Sequence, residues 1–193
     1  MIRASLIAVV GIAGLLAGTA HAQTSSSSAA HQPKVAQNAA PAPALPTPKR
    51  LGGAESWVAY TSTEKAGQIC YVVGQPSKSE PAGLKREVHL LVTHNKGDKT
   101  NNVVSFIAGY KFKDGSDAQL VVGDKKFDLF TKDDTAWARD AATDKAIVDA
   151  MLKGKQAVIK GTPAKGAPTT DTYALVGFPQ VIVEIDKSCN FKR

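Results

Sequence analysis

The chain has 193 residues, 43% of them hydrophobic and 21% charged, which is ordinary globular composition with room for one domain and appendages. The formal net charge is +7, but the cations are scattered in pairs such as Lys49-Arg50, Lys85-Arg86 and Lys125-Lys126 and form no basic arm. With no binding motif beside them they argue against nucleic acid and leave only weak attraction to anionic surfaces.

Arg3 gives a short positive start, Leu6 to Leu16 is an uncharged apolar run, and Ala20-His21-Ala22 places small residues where a signal peptidase reads. Residues 1–22 therefore read as a signal peptide cleaved between Ala22 and Gln23. The apolar run is shorter than the roughly 20 residues that span a bilayer, and no later segment is long and apolar enough to do so. No cysteine near the cleavage point can take a lipid. The expected location is the periplasm, the cell surface or the medium.

Residues 23–50 hold Ser25 to Ser28 and then Pro41, Pro43, Pro46 and Pro48, without aromatics. Such a stretch cannot offset its own ordering entropy, and it reads as a disordered tether, semi-rigid where proline alternates. The folded domain is expected over 51–193.

Eight short strands follow in the pattern: Trp57–Thr61, Gln68–Val73, Glu87–His94, Asn102–Tyr110, Ala118–Val122, Lys126–Thr131, Ala157–Lys160 and Thr172–Val176. Val88, Leu90 and Val92 share one face, as do Val104, Phe106, Ala108 and Tyr110, so one side of each strand meets a core and the other meets water. Trp137 stands in a polar stretch that reads as a loop. Thr143 is placed to cap a helix running to Lys153, with Gly154 as a left-handed C-terminal residue. Phe178, Ile182, Ile185 and Cys189 form a helical stripe. The β-branched run Val181-Ile182-Val183 also suits a strand, but the helix is favoured. The expected fold is mainly β: a sandwich or small barrel of about eight short strands with one or two short helices.

Cys70 and Cys189 are the two cysteines, and in an exported chain an even pair reads as a disulfide. It would pin the C-terminal segment to the second strand. Catalytic signals are absent from the sequence: there is no Gly-x-Ser-x-Gly elbow, no phosphate-binding glycine loop and no dinucleotide fingerprint. His89 and His94 lie five apart, on opposite faces of a strand, so they cannot chelate one metal there. Asp171 and Glu184 could be paired as glycosidic carboxylates only if the fold brought them together. No cofactor or metal is implied.

The segment Gly161 to Tyr173 is dense in Gly, Pro and hydroxyl residues. It reads either as an ordered loop whose Thr and Asp side chains satisfy local backbone groups or as a recognition loop with Lys165 at its tip. The candidate recognition residues are Thr162, Lys165, Thr169, Thr170 and Asp171.

The order of Trp57, Cys70-Tyr71, His89-Leu90-Leu91-Val92-Thr93-His94, Val104-Ser105-Phe106, Gly109 to Ser116, Asp144 to Gly154, Lys160-Gly161-Thr162, Thr169 to Phe178 and Cys189 resembles the invasion-associated locus B family of alphaproteobacteria over nearly all of residues 55–190. The resemblance implies an exported, single-domain, immunoglobulin-like β-sandwich resident in the envelope, with a part in host-cell entry in pathogenic members. It carries no catalytic residues, and it transfers Cys70 and Cys189 as a bridge. Three functions remain in play. The leading one is a non-enzymatic envelope protein that binds an envelope or host-surface protein, a glycan or an anionic lipid through a loop or sheet edge. The others are a basic module for lipopolysaccharide or anionic lipid, and a periplasmic hydrolase whose site is not legible in sequence.

Overall fold

The computed structural model describes residues 47–193. The segment read as a signal peptide, with its expected cleavage at Ala22–Gln23, and the expected tether up to residue 46 lie outside the described residues.

The chain runs through β1 (Lys49–Ala54), β2 (Trp57–Glu64), β3 (Gly67–Gly74), β4 (Lys78–Glu80), β5 (His89–Asn95), β6 (Thr100–Ile107), β7 (Ala118–Val122), β8 (Lys125–Lys132), β9 (Thr135–Trp137), α1 (Ala141–Lys153), β10 (Gln156–Gly161), β11 (Thr169–Ala174) and α2 (Phe178–Ser188). All strand pairs are antiparallel and belong to one sheet, in the order β1-β2-β3-β5-β6-β9-β8-β7-β10-β11-β4. The fold is thus mainly β with two helices, and it holds eleven strands where the sequence suggested eight.

The sheet doubles back at β8. Lys125 to Leu129 pair with β7, whereas Phe130 to Lys132 pair with β9. One half of the sheet is therefore β1-β2-β3-β5-β6-β9 and the other is β7-β10-β11-β4. The halves face each other through the alternation read from the sequence. Leu90, Val92, Val104 and Phe106 are fully buried on one half, and Leu120, Ile159 and Tyr173 on the other. Trp57 of β2 closes the far end: its indole Nε1 donates to the Ala174 carbonyl at 2.8 Å, and its ring lies 6.2 Å from that of Tyr173. Burying each large apolar side chain in this core contributes roughly 1.5–3 kcal/mol.

The two helices pack on the same inner side. In α2 the stripe of Phe178, Ile182 and Ile185 is buried, Phe178 stands edge-on to Trp57 at 4.9 Å, and Pro179 sits in the first turn, where its missing N–H is not needed. The helical reading of this segment is therefore correct despite its β-branched run. Cys189, just past α2, is bonded to Cys70 of β3 across a sequence separation of 119.

Several expectations need correction. The helix α1 is capped by Asp140, whose side chain accepts from the Thr143 N–H, so Thr143 lies inside the helix. Gly154 ends it in an extended conformation, not a left-handed one. Residues 49–50, assigned to the tether, already pair in β1. Trp137 lies on β9 and not in a loop. The strand expected to reach Tyr110 stops at Ile107, because Gly109 takes a positive φ of 69°. Strand β11 begins at Thr169, three residues before the expected start.

Candidate functional site

The segment singled out in the sequence is the connection between β10 and β11. Its first half is not free. The Lys113 N–H donates to the Thr162 carbonyl, the Ala164 N–H donates to the Lys111 carbonyl, and Pro163 bridges Phe112. Gly161 makes this approach possible, since a Cβ there would lie 2.3 Å from the Tyr110 hydroxyl and 2.9 Å from the Phe112 ring. The second half, Ala164 to Pro168, is exposed and carries Lys165 at its tip.

Behind this loop the fold assembles a buried polar cluster from three distant segments. Arg86 donates from Nη2 to Asp171 Oδ1 at 2.6 Å and from Nη1 to the Ala108 carbonyl at 3.0 Å. Ser79 donates to the same Asp171 oxygen at 2.6 Å. The Arg86 guanidinium also lies 5.6 Å from the Tyr110 ring centre, in cation–π contact. Tyr110 and Thr169 share a hydroxyl–hydroxyl hydrogen bond of 2.7 Å. The Asp171 side chain is fully buried and that of Arg86 is 5% exposed. Among the described residues, Arg86 Nε, Asp171 Oδ2 and the Tyr173 hydroxyl find no partner. Burial first, and the Asp171 carboxylate second, push the Tyr173 phenol up. Burial also raises the Tyr110 phenol, against the lowering effect of its bond to Thr169.

In front of the cluster lies a cleft of about 230 Å³. Pro81, Leu84, Tyr110 and Pro163 supply its apolar walls, Lys85, Lys165 and the Asp171-paired Arg86 stand among its lining, and no carboxylate lines it. Leu84 is 54% exposed and places an apolar side chain beside the opening. The volume falls below the roughly 300–1,000 Å³ of a full small-molecule site, so it suits one ring or the end of a chain.

The candidate recognition residues therefore separate. Lys165 is exposed at the cleft and Thr162 is half-buried nearby. Thr169, Thr170 and Asp171 are strand residues, paired with Gly161, Lys160 and Ile159. Asp171 points into the core and is occupied by Arg86 and Ser79, so it is removed from the set that can meet a partner directly, whereas Thr169, bonded to Tyr110, is nearly buried but still lines the floor of the cleft. Thr170 lies on the opposite face of the strand. Arg86, Tyr110 and Ser79 were missed because nothing in their local spacing marks them. The Lys85-Arg86 pair was noted only as scattered charge.

Asp171 and Glu184 do not meet: Glu184 lies on α2, within 4.0 Å of Lys187. His89 and His94 face opposite sides of β5. Among the described residues no three His, Cys, Asp or Glu side chains are grouped to hold a metal ion, and no helix is long and apolar enough to cross a membrane.

A second buried cluster closes the C-terminus. The Asn102 N–H donates to His94 Nδ1 at 3.1 Å, so His94 Nε2 carries the proton given to Asp186 Oδ1 at 2.9 Å. Arg193 adds two bonds to the Asp186 carboxylate, at 2.8 and 2.9 Å, and a third to Asn102 Oδ1 at 3.0 Å. Burial alone would raise the Asp186 carboxyl, but the bonds from His94 and Arg193 and the Arg193 charge hold it below its ordinary value.

Residues 57–186, from Trp57 at the far end of the core to Asp186 of this clasp, match the sequence profile described as Invasion associated locus B (IalB) protein. The chain belongs to the invasion-associated locus B family. A solved structure described as invasion associated protein b from Bartonella henselae shares the fold, with a TM-score of 0.54 at 16% identity, covering 74% of this chain and 99% of that one. Among curated proteins none matches. In this member of the family, the shared span contains both buried clusters except for Arg193, and all of the cleft lining.

Proposed function

We propose that this chain is an exported, non-enzymatic envelope protein that binds an anionic ligand with an apolar end in the cleft between Leu84 and Lys165. The leader-like N-terminus and the Cys70–Cys189 bridge support an oxidising compartment outside the cytosol. The single observation that carries the binding reading is the cleft lining, apolar walls with Lys85, Lys165 and Arg86 and no carboxylate. Such a site favours a negative group at its mouth and an apolar group within. The nearest ionisable pair, Arg86 and Asp171, is engaged with itself, which supports a holding role over an acid–base one. In envelope terms this chemistry is that of a lipid or lipopolysaccharide component, or of an acidic side chain on a protein or glycan partner.

Calorimetric titration with octyl phosphate and with octyl glucoside tests the reading. Octyl phosphate should bind, with affinity falling as salt rises, and Lys85→Glu with Lys165→Glu should weaken it by about tenfold or more, which is about 1.4 kcal/mol. Equal binding of the two amphiphiles, or an unchanged affinity in the double variant, would overturn it.

A further inference from the structure

Strand β9 has three residues, and its middle one, Ala136, is fully buried. Trp137 therefore points to the other side of the sheet, away from the core. There the register sets it beside Ser105 of β6 and Phe130 of β8. The Phe130 and Trp137 rings stack, with centroids 5.5 Å apart and 27° between their planes. Phe130 is 37% exposed, and among the described residues it is the only aromatic in the set of exposed large apolar side chains. Around the pair lies a shallow hollow of about 460 Å³, lined by Val103, Phe130, Lys132, Trp137, Ala138 and Arg139. Lys132 follows Phe130 by two positions, and Arg139 follows Trp137 by two. Because β8 and β9 are antiparallel, these two exposed cations stand at opposite ends of the ring pair. Arg139 is paired with Asp117, so Lys132 is the cation left to meet a ligand. Asp128, two positions before Phe130 on β8, is the other exposed carboxylate on this stretch. The hollow shares no lining residue with the cleft at Leu84.

We infer that this hollow is a second binding site, and that it takes an acidic saccharide, a sugar ring that carries a carboxylate. Shape and charge choose the ligand together. A pyranose ring has a face of C–H groups that lies flat on an aromatic ring, and its polar groups project around the rim. The hollow is built the same way, with rings at its centre and donors at its ends. Lys132 answers the carboxylate through a charge-assisted hydrogen bond. Arg139, already held in place by Asp117, offers its remaining N–H groups to hydroxyls. Other classes of ligand fit less well. An acyl chain would stay wet in so open a hollow, since apolar ligands need most of their surface covered. An anchor residue of a protein partner needs a well-packed, desolvated pocket. Single-stranded nucleic acid stacks on aromatic rings too, but it brings a phosphate with every base and needs a groove of cations to track them. Here Asp117 and Asp128 stand close to the two cations, and a ligand with one charge per ring position at Lys132 avoids both.

The two tryptophans make the test direct. Trp57 is fully buried and Trp137 lines the hollow, so a ligand seated there changes the fluorescence of Trp137. The oxidised chain is titrated with a galacturonic acid trimer up to about 10 mM, with a galactose trimer and with adenosine monophosphate. The acidic trimer should bind, shift the emission, and bind at least about tenfold more tightly than the neutral one. Lys132→Glu should weaken it by about tenfold or more, and Phe130→Ala by about tenfold. Lys187→Glu, the same change of charge on α2, should leave the affinity as it is. Lys132 is exposed, so its variant keeps the fold and decides the question even where Phe130→Ala disturbs the sheet. An absence of binding by the acidic trimer overturns the inference, as do equal affinities for the two trimers or binding that leaves the emission unchanged. Adenosine monophosphate binding as tightly, and losing affinity in Lys132→Glu, also overturns it and gives the hollow to nucleotides.

Discussion

At the C-terminal clasp both oxygens of Asp186 are used, both ring nitrogens of His94 are used, and Arg193 is shared between Asp186 and Asn102. At the cleft Arg86 and Asp171 pair just as closely, yet one oxygen of Asp171, the Nε of Arg86 and the hydroxyl of Tyr173 are left without partners among the described residues. An unmade buried hydrogen bond costs about 1–3 kcal/mol. The clasp is completed by its own chain and serves to hold the last helix down. The cleft cluster carries unrelieved polarity, and it lies directly behind the surface proposed to receive a ligand.

The comparison can be broken at both ends. The largest effect is expected from removing the disulfide beside the clasp. Cys70→Ala with Cys189→Ala opens a loop of more than a hundred residues, which the chain-entropy model values at about 5 kcal/mol; urea unfolding of the double variant should show it. Next comes Asp171→Ala, which strands a buried guanidinium at a cost of about 3–5 kcal/mol. Combining Arg86→Met with Asp171→Leu should recover most of that loss, because an apolar pair of similar volume replaces the ions. Failure to recover would mean that the cluster is needed for the fold itself.

Asp186→Asn should cost less, about 2 kcal/mol, since the residual Arg193 charge is 24% exposed and can reach water. This carboxyl is held below its unfolded value. Its contribution is therefore complete above the unfolded carboxylate pKa, near 4, and is lost as pH falls through the folded value. The acid limb of stability against pH should flatten in Asp186→Asn. The smallest effect belongs to Tyr110→Phe, which deletes one hydroxyl bond to Thr169 and should lower stability by about 1 kcal/mol while leaving the ring under Arg86.

Much of the fold was legible in the sequence because it rests on alternation. The core residues of β5 and β6 sit at every second position, and the α2 stripe has helical spacing. What escaped was short or atypical. Strand β1 reads Lys-Arg-Leu-Gly-Gly-Ala, and β4 and β9 have three residues each, too few to show a period. Such strands exist because neighbours pair with them, not because of local propensity. Asp140 and Thr143 are both competent caps, and only the backbone decides between them. The cysteine pair was readable because a chain with two cysteines allows one intramolecular pairing. The site was readable only in part. Lys165 is exposed, but the partners of Asp171 lie 85 and 92 residues away, and no spacing in one sequence encodes a contact of that range.

The division of β8 between two partners has a mechanical side. Leu129 pairs toward one half of the sheet and Phe130 toward the other, so the hydrogen-bonded sheet passes from one leaf to the other across a single peptide link. Tension applied to the first leaf reaches the second through continuous backbone, and the leaves cannot shear past each other along that border without tearing a strand. At the opposite end Trp57 ties the leaves again through Ala174, so the two leaves are held at both margins.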